Sequence, residues 1–154
     1  MACSIEIVNK IKSFFDKNDW TYTFDEKKEE IRIGFNVSEK FKSIKIIIDL
    51  SYDDCYVVIS PFPINVGTDR YEQVLRTANY INYKSKFGNY ELSEKDGELR
   101  YRMTVDCEGI VPSDGMIERI ILIPIIMTKK YGECFIDIIV GNKSFEEVKS
   151  VLEK

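Results

Sequence analysis

Between Ser4 and Asn18 the apolar residues Ile5, Val8, Ile11, Phe14 and Phe15 recur at three- and four-residue steps, with Glu6, Lys10, Lys12 and Lys17 elsewhere around the turn. That period predicts an amphipathic helix. Thr21 to Phe24 is a short aromatic and β-branched segment, and the charged cluster Asp25 to Glu30 reads as a solvated turn leading into a new strand. The step then shortens to two. Ile31, Ile33, Phe35 and Val37 alternate with Arg32, Gly34 and Asn36, and Ile44, Ile46, Ile48 and Leu50 alternate with Lys45, Ile47 and Asp49. Each run marks a strand with one buried and one wet face. After the turn Ser51 to Asp54, Cys55 to Ser60 is apolar on both faces, which predicts a strand lying centrally or beneath a helix. Short turns between these three strands imply an antiparallel meander. Pro61 and Pro63 end it, because proline has no N–H to give the ladder.

Thr68 or Asp69, with Glu72 completing a capping box, predicts a second helix to about Lys84, with Tyr71, Val74, Leu75, Ala78 and Asn82 on one face. A hairpin follows. Tyr90 to Leu92 leads through Glu94-Lys95-Asp96-Gly97, a turn that uses glycine's tolerance of positive φ, into a strand with Leu99, Tyr101, Met103 and Val105 opposite Arg100, Arg102 and Thr104. Ser113 or Asp114 opens a helix whose run Met116 to Ile123 is too apolar for a single stripe and predicts a largely enclosed element. Pro124 predicts a kink or break near Ile120 to Ile123, Gly132 a second interruption, and Gly141 a C-cap. Ser144-Phe145-Glu146-Glu147 is a capping box for a terminal helix. The predicted order is α-β-β-β-α-β-β-α-α, an α+β fold with an antiparallel sheet of about five strands packed against helices, as a single domain over residues 1–154.

The segment Asn79-Tyr80-Ile81-Asn82, continuing through Phe87-Gly88 to Asp96-Gly97, resembles the "N-x-x-N…F-G…D-G" stretch of the YbjN family. Gly109 after the second hairpin strand and the ending Gly141 to Glu147 are similar in order and spacing, so the resemblance covers most of the chain. It implies a fold related to type III secretion chaperones, in a family labelled as sensory transduction regulators without an established biochemistry. A secretion role does not follow, because one fold hosts many functions.

Composition narrows the chemistry. The 154 residues contain no histidine, which removes Ser-His and Cys-His nucleophile pairs and His-ligated metals. A formal net charge of −4 supplies no basic surplus for phosphate neutralisation, so a nucleic-acid partner is not expected. Cys3, Cys55, Cys107 and Cys134 contain no C-x-x-C pair, and no leader is read at Met1-Ala2-Cys3, which together suggest reduced thiols in the cytoplasm. The run Ile120 to Met127 would span ~12 Å as a helix, too short for a bilayer, so it is read as a buried helix and no membrane partner is expected.

Individual constellations read mostly as structure. Asp53-Asp54 near Asp49 matches no calcium loop. Cys55 and Cys107 lack a histidine to activate them, and Gly88, Gly97 and Gly109 form no phosphate cradle. Asn79 and Asn82 could hold a ligand or bond the following loop, the latter being the commoner use. The candidate interaction residues are Tyr90, Arg100, Tyr101 and Arg102, because arginine and tyrosine are enriched at interfaces. No catalytic residue, cofactor or metal site is assigned. The expectation is a non-enzymatic protein-binding or chaperone-like adaptor that recognises an unidentified protein and forms a homodimer. The alternative is a small-molecule sensor with a pocket between helices and sheet.

Overall fold

The computed structural model describes residues 3–154 except 38 and 40, so Met1 and Ala2 of the N-terminal stretch lie outside the described residues. Six segments pair into one sheet: β1 (Tyr22–Asp25), β2 (Glu30–Phe35), β3 (Ile44–Asp49), β4 (Cys55–Pro61), β5 (Asn89–Leu92) and β6 (Leu99–Asp106). Their spatial order is β1-β2-β3-β4-β6-β5, and every neighbouring pair is antiparallel. The helices are α1 (Ile5–Lys17), α2 (Tyr71–Lys84), α3 (Asp114–Ile139) and α4 (Phe145–Leu152), with a 3-10 turn at Thr68–Arg70 before α2. The fold is thus α+β, with the meander β2-β3-β4 in sequence order. The sheet has one strand more than the expected five. Thr21 to Phe24 looked too short to count, yet Tyr22 pairs with Ile33 and Asp25 with Glu30. An aspartate turn closes that hairpin, with Asp25 Oδ1 accepting from the N–H groups of Lys27 at 3.0 Å and Lys28 at 3.1 Å.

Burial follows the two-residue period. Ile31, Ile33, Ile46, Ile48, Tyr56, Val58, Leu99, Tyr101 and Met103 lie on the face that packs against the helices, all buried. Register lines up Ile31, Ile48, Val58 and Met103 as one apolar row across four strands. Helix α1 buries Ile7, Val8, Ile11, Phe14 and Phe15, and Ser4 caps it by accepting from the Ile7 N–H at 3.3 Å. Ser113 caps α3 and Ser144 forms a complete capping box on α4.

Four local expectations fail for identifiable reasons. First, α3 runs unbroken for 26 residues through both Pro124 and Gly132. Proline in a helix costs about 3 kcal/mol, but Ile120, Ile121, Pro124, Ile125 and Thr128 are all buried, and core packing holds the helix together. Gly132 is a packing slot instead of a break, since a Cβ there would stand 2.5 Å from Phe41 Cζ. Second, that helix is only partly enclosed, because Leu122 and Ile126 are exposed. Third, α2 has no side-chain cap: the 3-10 turn takes over its start, and its buried stripe is Val74, Thr77, Ala78 and Ile81, with Leu75 exposed. Fourth, the left-handed residue after α3 is Asn142 at φ 54°, not Gly141, whose missing Cβ instead lets the Asp137 carbonyl approach.

Polar ties lock the helical layer. Arg70 donates through Nε to the Ile138 carbonyl at 2.9 Å and through its terminal nitrogen to the Lys143 carbonyl, which satisfies the end of α3. The Phe145 N–H donates to Gln73 Oε1 at 2.7 Å and joins α4 to α2. Gly88, at φ 55°, turns the chain from α2 into β5, and a Cβ there would lie 2.7 Å from the Arg102 carbonyl oxygen and 2.5 Å from Met103 Cγ. Both strain and collision oppose any side chain at this position, so Gly88→Ala should lower the unfolding free energy by about 2 kcal/mol. Urea unfolding checks this; a change within about 0.5 kcal/mol would contradict it.

Candidate functional site

Because side chains alternate along each strand, the residues between the buried ones all point away from the helices. Thr23, Arg32, Ile47, Ile59, Arg102 and Asn89 stand opposite one another in a row that crosses all six strands on this outer face. The centre of the row is apolar, with Ile47 and Ile59 half-buried, and Val57, one row away and paired with Asp49, is buried at 2% exposure. The flanks are charged. Arg32 pairs with Glu30 at 2.8 Å on one side. On the other, Glu91 is shared by two arginines: Arg100 Nε donates to Glu91 Oε2 at 3.0 Å, and Arg102 Nη1 lies 3.6 Å from Glu91 Oε1. Glu98 lies 3.7 Å from Arg100 Nη1. These groups are each about a third exposed, so each pair contributes roughly 0–1 kcal/mol, and the guanidinium forks keep capacity for an incoming carboxylate.

The four candidate interaction residues do not form one patch. Arg100 and Arg102 lie on the outer face, whereas Tyr90 and Tyr101 are 4% and 1% exposed and lie on the helix side. Strict alternation forces the split: Tyr101 sits between the two arginines in sequence, and Tyr90 is paired opposite Tyr101 in register. The two rings pack edge to face with centroids 5.0 Å apart, and Tyr90 also packs on Phe135 at 4.8 Å. The Tyr101 hydroxyl donates to the Phe87 carbonyl. Those of Tyr56 and Tyr90 are buried without a hydrogen-bond partner among the described residues, and burial pushes both phenols far above their usual pKa. Ile47 and Ile59 are not legible as partly exposed residues in the sequence, because isoleucine in a central strand looks like core from either side.

The remaining candidates have structural roles. Asn82 brackets the start of β5, its Nδ2 donating to the Tyr90 carbonyl at 2.9 Å and its Oδ1 accepting from the Tyr90 N–H at 2.8 Å, while Asn79 is exposed. Asp53-Asp54 occupy the bend between β3 and β4. All four thiols are free, and burial pushes each of them upward, Cys107 to about 11. Asp54 and Asp106 raise Cys55 further. A thiol held protonated is a poor nucleophile. The depression nearest the expected sensor pocket lies between α1 and the β1–β2 hairpin, about 300 Å³ in volume, with Cys3, Val8, Phe24 and Leu50 at its floor. Among the described residues, no helix is long and apolar enough to cross a membrane.

Comparison with known proteins bears on this geometry. The sequence profile of the YbjN family, described as "Putative bacterial sensory transduction regulator", matches residues 8–136. No curated protein matches the chain. Among solved structures, the crystal structure of E. coli YbjN superposes with a TM-score of 0.55 at 10% identity, covering 81% of this chain and 93% of that one. A chain of the HopA1–SchA chaperone–effector complex superposes with a TM-score of 0.54 at 11% identity, covering 79% and 88%. At these identities the likeness is one of fold alone.

The thiols and phenols make a pH prediction. A group whose folded pKa is raised stabilises the fold fully below its unfolded pKa and loses that contribution as pH climbs toward the folded value. For Cys107 the interval runs from its ordinary 9.0 to about 11. Denaturant midpoints should therefore be level through neutral pH and fall above about 9, with a shallower fall in Cys107→Ala; a midpoint that rises across that interval would contradict the burial. Tyr90→Phe removes a buried hydroxyl that lacks a partner and should leave stability unchanged or raise it by about 1 kcal/mol in the same assay.

Proposed function

The chain belongs to the YbjN family, and on that premise we propose that it is a non-enzymatic, protein-binding adaptor of the chaperone-like kind, acting in a reducing compartment where its four free cysteines stay as thiols. The observation that carries this reading is the outer face of the sheet, which the chain's own helices leave open. It has the composition of an interface: an apolar centre at the half-buried Ile47 and Ile59 and a polar rim in which Arg100 and Arg102 can turn to a partner's carboxylates. The fold shared with a chain of a chaperone–effector complex supports it. The protonated thiols and the absence of histidine from the sequence favour binding over bond-making chemistry.

A second copy of the chain is one occupant of this face. A two-fold axis brings a patch onto itself, and a cluster holding both Glu91 with Glu98 and Arg100 with Arg102 is self-complementary under that operation. The sensor alternative would draw on the 300 Å³ depression beside α1, at the lower limit of sites that enclose small ligands.

Ile59→Lys places a charge in the middle of the apolar row without touching the buried face. The variant should keep the wild-type melting temperature, lose the dimer in a light-scattering concentration series, and fail to retain proteins that the wild type captures from its host's lysate. Wild-type chain that stays monomeric at every concentration would contradict the dimer. An identical captured set for wild type and variant would contradict the assignment of the face.

A further inference from the structure

A second surface, on the opposite side of the molecule's helical layer, carries a different chemistry. The end of α2, the turn at Ser85 to Gly88 and the middle of α3 enclose an open groove of about 240 Å³. Its wall is apolar: Phe87 is 38% exposed and Ile126 56%, with Ile123 and Met127 half-buried between them. Lys84, Lys86, Arg119 and Lys130 surround it. Each is set against an aromatic ring. Lys84 Nζ donates to the Tyr80 hydroxyl at 2.9 Å and lies 4.3 Å from that ring's centroid, Lys86 Nζ lies 5.3 Å and Arg119 Cζ 5.9 Å from that of Phe87, and Lys130 Nζ 5.0 Å from that of Tyr131. None of these four cations has a carboxylate within ion-pair distance among the described residues, in contrast to Lys10, Arg76, Arg100 and Lys143. In a chain with a formal charge of −4, a grouping of cations without carboxylate partners around the exposed Phe87 and the half-buried Tyr80 and Tyr131 is a local reversal of sign.

We propose that this groove binds a peptide segment of a protein partner in which an aromatic or aliphatic anchor is flanked by aspartate or glutamate. The proposal rests on the adaptor reading and names a site for it distinct from the sheet face. Charge complementarity selects the acidic flanks, because unpaired ammonium and guanidinium groups gain ion pairs without breaking internal ones. Size selects the anchor. About 240 Å³ is below the range of pockets that enclose whole small ligands and accommodates a side chain or two, as in grooves that take the anchors of an amphipathic helix. A nucleic-acid backbone is disfavoured because its charge recurs at every phosphate and would run past four cations onto an otherwise acidic chain, whereas the few carboxylates beside a peptide anchor stay within reach of the groove.

The test selects a random peptide library on the full chain and titrates the selected peptides calorimetrically against wild type, Lys86→Glu/Lys130→Glu and Ile59→Lys. The expected peptides carry Asp or Glu around an apolar anchor, bind Lys86→Glu/Lys130→Glu about tenfold or more weakly, weaken with added salt, and bind Ile59→Lys with wild-type affinity. Lys86 and Lys130 are exposed, so the charge-reversed chain should melt as the wild type does; Lys86→Gln/Lys130→Gln, which removes charge without reversing it, should fall between. Selected peptides with no acidic enrichment, equal affinity for the charge-reversed chain, or an empty selection would each overturn the groove. Peptides lost only on Ile59→Lys would overturn the groove and leave the adaptor reading intact, whereas an empty selection together with a monomeric chain would remove both. Tighter binding of phosphatidylglycerol vesicles or of a single-stranded oligonucleotide, abolished by Lys86→Glu/Lys130→Glu, would overturn the peptide as occupant.

Discussion

One-sided burial of an antiparallel sheet is the constraint from which the other features follow. Ile31, Ile48, Val58 and Met103 pair across four strands and meet the helical layer, so the register of each strand is fixed by the cost of turning its apolar set to water. A one-residue slip in β3 would exchange Ile46 and Ile48 for Lys45 and Asp49. The same register that encloses these side chains places Arg32, Ile47, Ile59 and Arg102 outward in a continuous row. The available surface is therefore a by-product of how the core is made, and its central residues are apolar because β4 lies in the middle of the sheet.

Helix α3 is the other half of that core. It carries Ile117, Ile121, Phe135 and Ile138 against the sheet and tolerates Pro124 because the residues around the proline are buried on the same side. Phe41 reaches Gly132 from the loop after β2, and its ring stacks edge to face with Phe62, which in turn meets Phe135. An aromatic chain thus links a loop, a strand end and the long helix, and the backbone of Gly132 is what lets the first ring in. The outward side of the same helix supplies Ile126, Arg119 and Lys130 to the cationic groove.

Most of the architecture was legible in the sequence where periodicity was strong. The meander, the Asp-Gly hairpin and the caps at Ser113 and Ser144 rest on local chemistry that tertiary contacts reinforce. β1 escaped notice because four residues cannot establish a period, and its existence depends on pairing with β2. Pro124 does not break the helix, because a propensity of a few kcal/mol yields to burial along 26 residues. At the site, Arg100 and Arg102 share the outer strand face, whereas strand geometry sends Tyr90 and Tyr101, their neighbours in sequence and register, to the opposite side. The cationic groove was not legible, since Lys84, Lys86, Arg119 and Lys130 come from separate segments and only α2–α3 packing brings them together.

The central claim is that one face of the sheet is closed by helices and the other is open to partners. Methyl NMR of the dilute chain with a soluble paramagnetic agent tests it at the residues that alternate along β3 and β4. The account predicts strong attenuation of the Ile47 and Ile59 methyl signals, little of Ile46, Ile48 and Val58, and protection of Ile47 and Ile59 as the concentration is raised to favour association. Equal protection of both sets at every dilution, or attenuation of Ile46 and Ile48 in place of Ile47 and Ile59, would contradict it.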